Sequence, residues 1–171
     1  MLSALLTLSL FIAVNGIDDC KIGPGIQKGQ MDDKDMEEAS GLAYSMQMTG
    51  FLYTINDKGG LPRVITLTED GQKNAFIELD GVDNIDYEDI AMSFTDGRSW
   101  IYVSDTGNND FDRDYLSILK FQEPTATGND VVVKDIEDLQ VRYDGFSYDC
   151  EALGGLDYEK CQLTILNLRS C

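Results

Sequence analysis

YEDIAMSFTDGRSWIYVSDTGNN, residues 87–109, carries the pattern that recurs along the chain. Two runs, DIAMSF (89–94) and WIYVSD (100–105), are rich in Ile, Tyr and Val and are separated by the turn residues TDG (95–97). That is the signature of two short strands around a turn. An antiparallel pair brings the start of its first strand and the end of its second to one edge. Glu88 and Asp89 therefore meet Asp105 there, with Asn108 and Asn109 just behind.

The same pattern extends outward in both directions. SGLAYS (40–45), FLYTIN (51–56), RVITLT (63–68) and NAFIEL (74–79) precede the stretch. LSILKF (116–121), VVVKDI (131–136), DLQVRY (138–143), CEALGGL (150–156) and QLTILNL (162–168) follow it. Runs this short, punctuated by TEDG, TDG and GND, predict an all-β fold. Residues 17–37 form an acidic, Gly-rich lead-in, and its MDDKDMEE run is the one candidate for helical structure.

The chain also repeats itself. LAYS (42–45) aligns with IAMS (90–93), LYTIN (52–56) with IYVSD (101–105), and EALGGLDYEKCQLTILN (151–167) reads as a third copy. A repeat of about 40–50 residues built from four strands describes a β-propeller blade. Residues 38–171 are thus expected to form a partial β-propeller of about three four-stranded blades. Propellers close with about four to eight blades, so the expectation is an incomplete product whose open edges favour self-association. The alignment gathers Glu88 and Asp105 from one copy, Glu151 and Asn167 from another, and Asn56 from the first on one rim. Carboxylate and amide oxygens of this kind suit Ca²⁺, which takes about six to eight oxygen ligands. Asp and Asn at strand ends also serve as turn caps, and that reading competes with the metal.

Composition narrows the function. The first sixteen residues, MLSALLTLSLFIAVNG, are uncharged, apolar and end in small residues, the form of a secretory signal peptide cut before Ile17. With that leader removed, no remaining run is long enough to span a membrane, and the expected location is extracellular. A net charge of -18 argues against nucleic-acid partners and favours cations. The chain has no histidine, which excludes Ser-His-Asp and Cys-His catalysis and HExxH metal sites. Cys20, Cys150, Cys161 and Cys171 are candidates for two disulfides, and a hairpin turning at 157–160 separates Cys150 from Cys161. NNDFDRD (108–114) alternates acids but is no EF-hand, since counting from Asp110 puts Tyr115 at position six and Phe121 at position twelve.

The phrases EASGLAYS, LYTINDKGG, LDGVDNIDYEDIAMS, IYVSDTGNN, ILKFQEP and VRYDG with YDCEAL occur in that order. Together they resemble a mostly uncharacterised family of secreted or exported propeller-like proteins carrying EASGL, NDSGG, WEDIA, GDIGDN and DAEAL. The resemblance spans about residues 38–153, with Tyr87 where that family has Trp. More distantly, an acidic inner rim is similar to that of the calcium-dependent propellers of the regucalcin, gluconolactonase and paraoxonase type. The expected function is therefore a secreted propeller-type protein with a calcium-binding acidic rim and no defined catalytic activity. Two alternatives stand beside it: a metal-free interaction module, and a fragment of a calcium-dependent propeller hydrolase.

Overall fold

The computed structural model describes residues 24–31, 33–145, 148–156 and 162–166. The leader, Cys20, Cys161, Asn167 and Cys171 lie outside the described residues. In chain order the strands are β1 (Ala39–Tyr44), β2 (Phe51–Asn56), β3 (Arg63–Thr68), β4 (Lys73–Leu79), β5 (Tyr87–Thr95) and β6 (Arg98–Asp105). Then come β7 (Leu116–Gln122), β8 (Val131–Val133), β9 (Glu137–Val141), β10 (Ala152–Leu156) and β11 (Gln162–Leu166). The acidic lead-in contributes one 3-10 turn, Lys34–Met36, capped by the Asp33 side chain on the Asp35 N–H. The chain is all-β, as its runs predict.

The opening stretch folds as its turn residues require. β5 and β6 pair antiparallel from Tyr87↔Asp105 to Thr95↔Arg98. Asp96 and Gly97 between them both have positive φ, the pattern of a tight two-residue hairpin whose twist matches that of its strands. β7 and β9 extend this pair into a four-stranded sheet, β5-β6-β7-β9. β1 to β4 make a preceding meander, and β10 and β11 pair in a third sheet.

One strand departs from the expected order. β8 joins β4 in parallel, giving a five-stranded sheet β1-β2-β3-β4-β8. Bonds between the connecting loop and β4 explain it: the loop's Asp130 accepts from the Phe76 N–H, and Asn74 of β4 accepts from the loop's Gly128 N–H. These ties draw the segment after β7 back onto the first sheet before β9 completes the second.

The sheets stack face to face in chain order. Tyr53, Ile55, Val64 and Ile77 of the first sheet share a core with Tyr87, Ile90, Ile101, Val103, Leu119 and Phe121 of the second. Ile65 and Leu67 face the other way, onto Met36. Ala91 and Ile118 on the far face of the second sheet pack against Leu153 of β10. At the edges, the Ser40 hydroxyl donates to the Glu88 carbonyl at 2.6 Å, joining β1 to β5. The Leu153 N–H donates to the Asp89 carboxylate at 2.7 Å, joining β10 to β5. The first strands of the three sheets thus lie side by side.

Two bulges occupy equivalent places in the first two sheets. The β1–β2 register shifts between Ser40 and Ala43, and the β5–β6 register shifts between Tyr87 and Asp89. A bulge inserts an unpaired residue and re-aims side chains. In β5 that residue is Glu88.

Candidate metal centre

Strict alternation along β5 would send Glu88 and Asp89 to opposite faces. The bulge changes this, and both carboxyls reach the neighbouring β10 segment. Asp89 bonds the Leu153 N–H, while Glu88 shares a hydrogen bond with Glu151. Asp89 also caps its own strand at the Ile90 N–H, so its role is to join strands.

Glu88 is the centre of two carboxylate groups. Asp57, Asp86 and Glu88 place one oxygen each within 4.8 Å of one another, and so do Glu88, Asp149 and Glu151. Asp57 follows the end of β2, Asp86 and Glu88 begin β5, and Asp149 and Glu151 lead into β10. Each of the three sheets therefore supplies acids to one place. Asp86, Glu88 and Asp149 are 2%, 7% and 1% exposed, while Glu151 is exposed.

Burial of this many acids is costly unless they are neutralised. Lys58 reaches Asp86 Oδ2 at 3.3 Å from a largely exposed position. The other oxygen, Asp86 Oδ1, is buried without a hydrogen-bond partner. Burial first, and then the hydrogen bond and charge of Glu151 with the charges of Asp57 and Asp86, push the Glu88 carboxyl up to about 9. Asp149 Oδ1 accepts from the Asn108 N–H at 2.7 Å, which fixes the carboxylate beside its neighbours.

Gly107 gives the cluster its room. A Cβ at this position would lie 2.2 Å from Glu88 Oε1 and 2.4 Å from Asp86 Cγ. Its N–H donates to the Asp86 carbonyl at 3.1 Å, so the turn after β6 is held against the acids. The phrase DTGNN is thus a turn and part of the site's wall at once.

The residues singled out in the sequence take different places. Glu88 and Glu151 come together as the repeat implies. Asp105 is 2% exposed and turns away into a supporting network. It accepts from Arg113 Nη1 at 2.8 Å and from the N–H groups of Ile85 and Asp86 at 3.3 and 3.1 Å. Asn56 sends its amide nitrogen to the Asp35 carbonyl at 2.8 Å, and it is the next residue, Asp57, that joins the carboxylates. Cys150 is buried with its Sγ 3.7 Å from the Ala152 carbonyl, and the other three cysteines lie outside the described residues. Asp112 and Asp114 line a separate cleft of about 390 Å³ with Arg113, Tyr115 and Arg142.

Sequence reasoning passed over Asp57, Asp86 and Asp149. A signal for two of them is present: Asp86-Tyr87-Glu88 recurs as Asp149-Cys150-Glu151. Residues two apart share a side of an extended chain, so an Asp-x-Glu repeat at two strand starts doubles the carboxylates on one edge.

No family model, curated protein or solved structure matches the chain. Among the described residues no helix is long and apolar enough to cross a membrane.

Proposed function

We propose that this is an exported calcium-binding protein whose ion sits among Asp57, Asp86, Glu88, Asp149 and Glu151. The observation that carries the reading is the buried Asp86 Oδ1, which has no hydrogen-bond partner inside a group of carboxylates. A buried charged oxygen without a partner is strongly disfavoured, and a cation relieves it. Oxygen donors without histidine or clustered thiolates select a hard cation. An irregular set of carboxylates from three strand ends suits calcium's flexible six-to-eight-oxygen shell better than the octahedron magnesium demands. The net charge of -18 raises the local cation concentration, and the signal-like leader sends the chain to calcium-rich surroundings.

The stacking of successive sheets, with β1, β5 and β10 side by side, supports a propeller-like arrangement and the family resemblance. In it the acids lie along the inner edge, and calcium ties consecutive blades. Calorimetric titration of the full chain with calcium tests the reading. The expected dissociation constant is in the range of about 0.1–1 mM typical of extracellular modules. Glu88→Gln abolishes the heat and Asp112→Asn leaves it unchanged. Absence of calcium heat, or heat lost with Asp112→Asn alone, contradicts the proposal.

A further inference from the structure

Asp57 stands at the end of β2 in the first sheet, while Asp86 and Glu88 stand at the start of β5 in the second. A neutral side chain bonds both segments at once. Asn84 Nδ2 donates to the Asn56 and Asp57 carbonyls at 3.1 and 2.9 Å. Its Oδ1 accepts from the N–H of Tyr87 at 3.2 Å, the residue between Asp86 and Glu88. Resting on the calcium reading above, we infer that Asn84 is a positioning residue of the metal centre. It holds Asp57 at a fixed span from Asp86 and Glu88, so that acids from two sheets reach one ion.

The bonds around Asp57 show why such a bridge is needed. Its N–H donates to the Glu38 carbonyl at 3.0 Å, and its Oδ1 accepts from the Lys58 N–H at 2.5 Å. Both partners lie close in sequence, so neither ties Asp57 to the second sheet. The Lys58 side chain does reach across, to Asp86 Oδ2 at 3.3 Å. That contact ends on an oxygen of the site and carries the same sign of charge as the ion, so an entering cation weakens it. The Asn84 bonds end on backbone groups and persist when the ion enters. Gly60 leaves the bridge its room, because a Cβ there would lie 3.3 Å from Asn84 Nδ2 and 3.5 Å from Asn56 Cβ. Groups that orient metal ligands from behind are worth about 10–100-fold in metal affinity, and the rigidity of a site tunes its hold on calcium.

NMR titration of the full chain with calcium at constant ionic strength, followed at the Gly107 amide beside the acids, reads the dissociation constant. Asn84→Ala removes the whole bridge. Asn84→Asp keeps its shape and the acceptor for Tyr87, loses the two donated bonds, and adds a negative charge that by itself attracts the ion. Each variant is expected to raise the dissociation constant by about 10–100-fold, and Asn84→Asp carries the test where Asn84→Ala does not fold. Asn74→Ala is the control. It removes the bond to the Gly128 N–H at the opposite end of the first sheet from Asp57, so it lowers Tm in chelator and leaves the dissociation constant unchanged. An unchanged constant in the Asn84 variants, tighter binding in Asn84→Asp, or an equal loss in Asn74→Ala overturns the positioning role and leaves the calcium reading intact. No saturable shift in the unsubstituted chain overturns both.

Discussion

Glu88 is an acid whose nearest charged neighbours are other acids, and its proton governs the metal-free protein. Its carboxyl is pushed from an ordinary 4.5 up to about 9 by burial and by Glu151, Asp57 and Asp86. Between those values the folded chain holds a proton that the unfolded chain has released. Stability in chelator therefore falls as pH rises through that window, because the folded state binds more protons. Thermal melts should decline between about pH 5 and 9, and Glu88→Gln should flatten the decline. An unchanged slope in that variant would remove Glu88 from the account. Lys58 pairs with Asp86 Oδ2 at 3.3 Å, and on the proposed calcium reading it competes with the ion. Removing one solvated charge at contact distance is worth about 1 kcal/mol, so Lys58→Gln should tighten calcium binding roughly fivefold in a titration. Gly107→Ala places a methyl group on Glu88 Oε1 and the Asp86 carboxyl. Overpacking of this kind costs about 1–3 kcal/mol, and denaturant unfolding of the metal-free variant should report it together with loss of calcium binding.

At the scale of elements, the joints between sheets matter more than the strands. Asp89 links β5 to β10 through the Leu153 N–H at 2.7 Å. Its loss leaves that N–H without its acceptor, a cost of about 1–3 kcal/mol, concentrated on the smallest sheet. Hydrogen exchange of Asp89→Ala should show faster exchange in β10 and β11, with β6 and β7 still protected; uniform acceleration across all sheets would show that the joint is not local. The strands themselves were legible, because the apolar runs and the Asp96–Gly97 turn dictate them locally. β8 was not, since its place on β4 depends on Asp130 and Asn74 meeting backbone N–H groups 54 residues away in sequence. The bulge at Glu88 was equally hidden. A period of two carries no mark of an inserted residue, and alternation alone separates Glu88 from Asp89 when both in fact reach the β10 segment. The site was half legible for the same reason. The repeat aligns Glu88 with Glu151, and Asp-x-Glu is written twice. Asp105, expected among the ligands, is held away from them by Arg113 and two backbone N–H groups, and Asp57 stands where Asn56 was expected.

For the whole molecule, the acids are a shared boundary among three sheets. The first two sheets are already joined by a large apolar core. The third is attached by Leu153 packing, the Asp89 bond and the Thr106–Cys150 backbone contact at 3.3 Å. On the calcium reading proposed above, the carboxylates of Asp57, Asp86, Glu88, Asp149 and Glu151 oppose this assembly without a cation and hold it together with one. Scanning calorimetry of the full chain at neutral pH, in chelator and then in calcium at ten times the dissociation constant, tests that claim most directly. Binding to the folded state alone contributes about 1.4 kcal/mol per ion at that concentration. For a chain of this size, that raises Tm by about 3–6 °C. This rise is expected in the unsubstituted chain and is absent in Glu88→Gln. Equal Tm values in chelator and calcium, or an equal rise in Glu88→Gln, would contradict it.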